Sequence, residues 1–410
     1  MNTKLLVALL GRRGRDGKGY ESTRYFFQQG EGGFTDEASF FGKALFRYLW
    51  ERRKGEEEID LLLVGTTGSA WYYVEDFFLN DSYMFPNDWD DIASALKRDE
   101  AVSQESVDKV MEAMGKALST RVRGLVLEDP PKTEDTYSKF MNAVQELYRD
   151  TRPPAEIHLD ITHGYRYLPF VLLGGTLLLR HIWESRIFLH YGGLELRRSK
   201  GEIAPVVDLS LLDGLVELDE SLSVLGTTGD FRSYFGSEKA QPTFLALETN
   251  QQQDVSNALN SLKEEHPPLA HPLVRDWVGG ILEKLSGHKF EDKLANRARF
   301  FWKRGQYFKA VLLLYEAILV AGVKRFLPGK DPLNYEVRVQ ARDDLVGHIR
   351  SLGGEGEETY DLLRRVRNAI AHGTRPEGAD AQRAAKDYKE LEGVFKKGVA
   401  LFEKLKETSS

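Results

Sequence analysis

Five short apolar runs, separated by helical patterns, set the first half of the chain. KLLVALLG (Lys4–Gly11) and IDLLLVG (Ile59–Gly65) each end in glycine. VRGLVLED (Val122–Asp129), AEIHLDIT (Ala155–Thr162) and RIFLHYGG (Arg186–Gly193) continue the series, with IAPVVDLS (Ile203–Ser210) as a weaker sixth. Runs that are apolar throughout, without clean alternation, belong to strands covered on both faces, as in a parallel sheet. Between them lie helical stripes. After Thr35 the acids Asp36 and Glu37 read as a helix's first turn, ahead of Phe41, Ala44, Leu45 and Tyr48. Thr133–Asp150 and Gly164–Trp183 follow the same logic. The fold class predicted is α/β: a doubly wound, Rossmann-like parallel sheet over residues 1–210, with ligands expected beyond the strands' carboxyl ends.

From Leu211 the strand-like runs stop and long 3.6-period segments take over. Residues 211–265 read as a helical linker and 266–410 as an all-helical domain. A length of 410 residues is consistent with that division. The net charge of −7 excludes a nonspecific nucleic-acid coat and confines any nucleic-acid contact to local basic surfaces. With no cysteine, the chain has no disulfide, cysteine zinc site, iron–sulfur cluster or thiol nucleophile. MNTKLLVALLGRRGRDG lacks the order of a secretory signal, since its apolar run precedes its basic residues. The longest apolar stretches fall short of a membrane span, and AVLLLYEAILVAGV carries Glu316. A cytoplasmic protein without a membrane partner is expected.

Three loops follow predicted strands. Gly11–Gly19 (GRRGRDGKG) holds four glycines and four cations, and is suited to phosphates. Glycine follows Lys18 where a phosphate loop of the Walker type needs a hydroxyl. In GTTGSAW (Gly65–Trp71), Thr66, Thr67, Gly68 and Ser69 offer backbone N–H groups and hydroxyls at a helix start; without a ligand they read as an ordinary cap. DITHGYRYLPF (Asp160–Phe170) gathers Asp160, Thr162, His163, Gly164 and Arg166 where the fourth run turns into a helix. Such a concentration of polar groups is costly unless they bond one another, as a capping network, or a ligand. A lone histidine with one aspartate is a thin metal set, so no metal site is expected.

RRVRNAIAHGTRP (Arg364–Pro376) is the segment best suited to chemistry. On a helix Leu362, Leu363, Val366, Ala369 and Ile370 form the apolar face, while Asn368 and His372 share the wet one. Gly373 stops the helix. Histidine moves protons near neutral pH and arginine holds phosphate, a set fitted to phosphodiester cleavage. The alternative is a solvated basic helix with His372 as a dipole partner. Arg367 and His372, five residues apart, lie roughly 140° apart around a helix. One helix does not easily aim both at one phosphate, so the chemistry favours a homodimer.

The pattern R-N-x-x-x-H, formed by Arg367, Asn368 and His372, resembles the signature of HEPN ribonucleases (higher eukaryotes and prokaryotes nucleotide-binding), and Gly305–Leu319 looks like that family's first long helix. The first half is similar to the CARF domain (CRISPR-associated Rossmann fold), above all in D-I-T-H-G-Y-R. Together they resemble the CARF–HEPN effectors of type III CRISPR systems.

That resemblance implies a cyclic-oligoadenylate-activated, metal-independent endoribonuclease of antiviral defence, without a cofactor, that cleaves single-stranded RNA by 2′-hydroxyl attack. Arg367 and His372 match the family's catalytic positions, and Asn368 matches the polar one between them. Thr162, His163, Gly164 and Arg166 match the ligand-loop segment; Gly11, Arg12 and Thr66–Ser69 match the other binding loops by location only. A homodimer is expected, with cyclic tetra-adenylate the first choice of activator and cyclic hexa-adenylate the second. The basic stretch Arg297–Lys309, with five cations and interleaved aromatics, is a candidate RNA guide or equally a helix whose aromatics are core and whose cations are solvated. Two other functions fit the same residues: a ring nuclease acting on the cyclic oligoadenylate through Thr66, Thr67, Ser69 or Thr162, and a non-catalytic nucleotide-sensing scaffold.

Overall fold

The computed structural model describes residues 3–12, 22–29, 32–53, 57–78, 89, 94, 96, 101–197, 203–248, 255–262, 264–286, 289–351 and 354–407. The chain divides into two compact units, Met1–Leu215 and Val216–Ser410. Of the cationic loop Gly11–Gly19, residues 13–19 lie outside the described part.

The first unit is an eight-stranded sheet of β1 (Thr3–Leu9), β2 (Thr23–Gln29), β3 (Gly32–Ala38), β4 (Glu58–Thr66), β5 (Val122–Leu127), β6 (Glu156–Asp160), β7 (Arg186–Gly192) and β8 (Ala204–Asp208). Their order is β3-β2-β8-β7-β6-β1-β4-β5. The run β7-β6-β1-β4-β5 is parallel throughout, and β2 also pairs parallel to β8. Among the described strands, β2–β3 and β7–β8 pair antiparallel. Along β1 alternate residues face opposite layers. Leu6 and Ala8 join a core with α1 (Phe41–Glu51) and α2 (Gln104–Leu118). Leu5, Val7 and Leu9 join another with α3 (Thr133–Leu147) and α4 (Leu168–Trp183). Burial of both faces explains the unbroken apolar runs.

One sequence expectation is corrected. Thr35, Asp36 and Glu37 do not open a helix; they lie in β3, which pairs with β2. Along β2, buried Thr23, Tyr25 and Phe27 alternate with exposed Arg24 and Gln28, the mark of a half-covered strand. Asp36 instead receives a bond from Arg47 of α1 at 3.0 Å, and α1 starts at Phe41.

The second unit is helical. α5 (Leu211–Thr228) contains the division between the units. It is followed by α6 (Arg232–Phe235), α7 (Ala240–Glu248), α8 (Val255–Leu262), α9 (Pro272–Ser286), α10 (Phe290–Trp302), α11 (Tyr307–Phe326), α12 (Tyr335–Ser351), α13 (Gly354–His372), α14 (Ala379–Ala384) and α15 (Tyr388–Glu407). The stretch read as a linker supplies Leu225, Phe231, Tyr234, Leu247, Leu259 and Leu262 to the same apolar core as the later helices. α11 is the hub. It packs against α10, α12, α13 and α15, and its apolar residues are buried on nearly every side.

Candidate functional site

At the carboxyl edge of the sheet, the loops after β1, β4, β5 and β6 are tied together. Arg12 forms an antiparallel bridge with Ser69, and the N–H of Ala70 donates to Gly11 O at 3.0 Å. Ser69 is buried; its Oγ accepts from Thr66 N–H at 2.8 Å and lies 3.1 Å from Leu10 O. The Thr66 and Ser69 hydroxyls are 3.3 Å apart, so both shape the loop from within. Thr67 and Gly68 are the half-exposed members. Arg12 donates to Asp129 at 2.7 Å and lies over the Tyr165 ring at 5.5 Å. Tyr165 hydroxyl also bonds Asp129, and Tyr167 hydroxyl bonds Pro131 O. A Cβ on Gly68 would sit 2.5 Å from Asp129 Oδ2, so glycine there permits the approach.

Beyond β6 the polar groups form a connected turn. Asp160 is fully buried. Its Oδ1 accepts from Thr162 N–H at 2.8 Å, and its Oδ2 has no partner among the described residues. Burial pushes its carboxyl up to about 7 despite the bonds from Thr162. Thr162 Oγ1 accepts from Gly192 N–H at 2.8 Å, fastening the loop to β7. His163 Nε2 accepts at 3.3 Å from Phe41 N–H, one of the donors that the first turn of α1 leaves without an intrahelical partner. An accepting Nε2 requires the neutral imidazole, and burial lowers its pKa to about 4. Gly164 has φ +88°, a left-handed conformation that glycine takes without strain. Arg166 is exposed.

The structure thus brings Gly11, Arg12 and Thr66–Ser69 into one knot and joins the Thr162–Arg166 segment to it through Tyr165. It turns Thr66, Ser69 and His163 inward as scaffold. Arg12 and Arg166 are exposed, and Thr67 and Gly68 half-exposed. Asp129, Tyr165 and Tyr167 complete this knot and were not singled out from the sequence. Their only signal was position, at the carboxyl ends of β5 and β6.

The R-N-x-x-x-H segment ends α13. Arg367 Nη1 donates to Asn368 Oδ1 at 3.1 Å, Nη2 donates to Glu316 Oε1 at 3.2 Å, and the guanidinium lies 5.2 Å from the Tyr315 ring centre. Arg338 of α12 also bonds Glu316. His372 is exposed at the helix end, and Gly373, with φ +64°, turns the chain so that Thr374 N–H reaches Ala369 O at 2.9 Å. Arg364 and Arg365 both pair with Asp361, at 2.7 and 2.9 Å. Glu316 and Arg338 were not identified as site residues from sequence.

The basic stretch Arg297–Lys309 is part core and part surface: Phe300 and Phe301 are buried and Phe308 is exposed. Arg297 is buried and bonds Leu247 O, and burial lowers its pKa to about 10. Arg299 pairs with Glu403, Arg304 bonds Gly226 O, and Lys309 pairs with Glu248. Lys303 is exposed. Among the described residues no group of three or more His, Asp or Glu is arranged to hold a metal, and no helix is long and apolar enough to cross a membrane.

Residues 5–191 match the family model described as "CRISPR system endoribonuclease Csx1, CARF domain". The chain is also similar to the CRISPR-associated protein MJ1674 of Methanocaldococcus jannaschii, at 25% identity over 349 residues, covering 76% of this chain and 54% of that protein. The match therefore spans about half the length of that relative. The first unit is therefore similar to a CARF domain of the Csx1 type, and the loops that converge at the sheet's carboxyl edge lie within the matched residues.

Proposed function

We propose that the protein is a cyclic-oligoadenylate-activated endoribonuclease, acting as a homodimer in CRISPR antiviral defence and cleaving single-stranded RNA without a metal. The observation that carries this reading is the Csx1-type CARF match upstream of a helix end bearing Arg367, Asn368 and His372. The ligand, cyclic tetra-adenylate in the first instance, is a polyanion. Exposed Arg12 and Arg166 and the backbone of Thr67–Gly68 would meet its phosphates. Cleavage uses the RNA's own 2′-hydroxyl as nucleophile, so the protein must move a proton and stabilise charge. His372, exposed at the end of α13, transfers the proton. Arg367, braced by Asn368 and Glu316, stabilises the charge developing on the phosphoryl oxygens. Products would be a 2′,3′-cyclic phosphate and a 5′-hydroxyl end.

The ring-nuclease alternative has less support, because the Thr66 and Ser69 hydroxyls are buried against each other. The test is RNA cleavage by the wild-type chain and His372→Ala, with and without cyclic tetra-adenylate, in excess EDTA. Ligand-dependent cleavage that disappears in the variant is expected. Equal cleavage by both proteins, or cleavage restored only by added divalent metal, would overturn it.

A further inference from the structure

We propose that Glu316 is a positioning residue of the ribonuclease site, its carboxylate orienting Arg367 while Arg338 locks it from the other side. The inference rests on reading Arg367 as the group that stabilises the phosphate. Glu316 lies mid-way along α11, whose neighbours on both sides are buried apolar residues. Its side chain is only 16% exposed. A carboxylate there is costly unless fully paired. Its two oxygens are divided between two helices: Oε1 accepts from Arg367 of α13 at 3.2 Å, and Oε2 accepts from Arg338 of α12. Arg364 and Arg365, on the same helix as Arg367, find acids on α13 or α14. Arg367 draws its acid from the central helix.

These contacts fix the guanidinium in three directions. Glu316 holds Nη2, Asn368 holds Nη1, and the Tyr315 ring lies 5.2 Å from its centre. Among the described residues only one N–H of Arg367 is bonded to a charged group, so its two Nη groups keep donors for a phosphate. An arginine held this way need not reorganise as charge develops in the transition state. Arg338 prevents the carboxylate from swinging over to take both Nη donors of Arg367.

The chemistry of the carboxylate gives a sharp test. Glutamine at 316 presents one acceptor and one donor to two guanidinium groups, so one arginine faces a donor. In Glu316→Gln, kcat for RNA should fall by about tenfold, with KM changed by less than about threefold. Removing the competing head group, in Glu316→Gln/Arg338→Met, lets the amide oxygen turn to Arg367 and should restore most of the lost kcat. A merely structural ion pair gives the opposite order, with the double variant no better than the single. Kinetics on the full chain with cyclic tetra-adenylate, beside thermal melts and Arg367→Ala, decide the matter. Wild-type kcat in Glu316→Gln, or no recovery in the double variant, overturns the positioning role while Arg367→Ala remains inactive. A wild-type chain that cleaves no RNA removes the reading beneath it. Should Glu316→Gln fail to fold, Glu316→Gln/Arg338→Met is compared with Glu316→Ala/Arg338→Met. The first should be about tenfold faster, and equal rates refute the proposal.

Discussion

Arg12 and Asp129 pair at 2.7 Å across the loop that follows β4, although β1 and β5 do not adjoin each other in the sheet. With Tyr165 on the same carboxylate, one acid gathers the ends of three strands. An incoming phosphate would compete with Asp129 for Arg12.

This pairing makes the loop knot acid-sensitive. Burial raises the Asp129 carboxyl, but the bonds from Tyr165 and Arg12 outweigh it and leave the pKa below the usual carboxylate range. A depressed folded pKa stabilises above the unfolded value, and that contribution is lost as pH falls below about 4. Asp129→Asn should therefore melt below wild type at pH 7. The gap should narrow as pH falls below about 4, as thermal melts across that range would establish.

Asp160 has the opposite sign. Its buried carboxyl titrates at about 7, against about 4 in an unfolded chain. Between those values the unfolded chain is ionised while the folded one keeps the proton, so stability falls as pH rises from about 4 to about 7. Neutral His163 and His190, held down by burial, oppose it by losing stability as pH falls. The difference between Asp160→Asn and wild type isolates the carboxyl. Asparagine still accepts from Thr162 N–H, so the variant should gain about 4 kcal/mol on wild type between pH 4 and pH 8 in urea titrations, the linkage value of a pKa raised from about 4 to about 7.

Gln104 seals the edge strand β5. Its Nε2 donates to Gly124 O and its Oε1 accepts from Val126 N–H, both at 2.8 Å, as the backbone of a further strand would do. Gln104→Ala should cost about 1–2 kcal/mol, measured by urea denaturation. The freed edge should also promote association, visible as scattering that rises with protein concentration.

The parallel strands were legible because burial on both faces writes itself into local composition. The β2–β3 hairpin was not, since one face meets solvent and its acids imitate a helix start; the partner of Asp36 is Arg47. The same limit applies at the sites. Thr162 and His163 stand out within one segment, whereas the Arg12–Asp129 pair spans 117 residues and Arg367–Glu316 spans 51. Glu316 was visible as a lone acid in an apolar run, but only the folded chain supplies Arg338 and Arg367. Four cations of Arg297–Lys309 find acceptors on distant helices, which the stretch itself does not reveal.

The two clusters should separate under mutation. Arg367→Ala and His372→Ala should each lower RNA cleavage by about 10²-fold or more while leaving cyclic tetra-adenylate affinity nearly intact. Arg166→Glu, at an exposed position, should instead weaken ligand binding and raise the activator concentration needed. Calorimetry for the ligand and gel-based cleavage for RNA measure the two halves independently. Loss of ligand affinity in folded Arg367→Ala would defeat this division.

The last prediction is a homodimer that binds one cyclic ligand. Arg367 is tethered toward Glu316, Asn368 and Tyr315, while His372 stands exposed five residues on. Their offset of roughly 140° around the helix keeps one copy of α13 from presenting both to the same phosphate. A second copy related by a two-fold axis would supply the missing partner. A ring with an even number of identical nucleotides fits the same symmetry in the sensing units. Ligand can activate only by favouring one arrangement of the pair. Light scattering should give twice the chain mass, and calorimetry one cyclic tetra-adenylate per dimer. Mixing Arg367→Ala and His372→Ala chains should regain part of the activity if each composite site draws on both copies. A fully active monomer, or one ligand bound per isolated chain, would refute the arrangement.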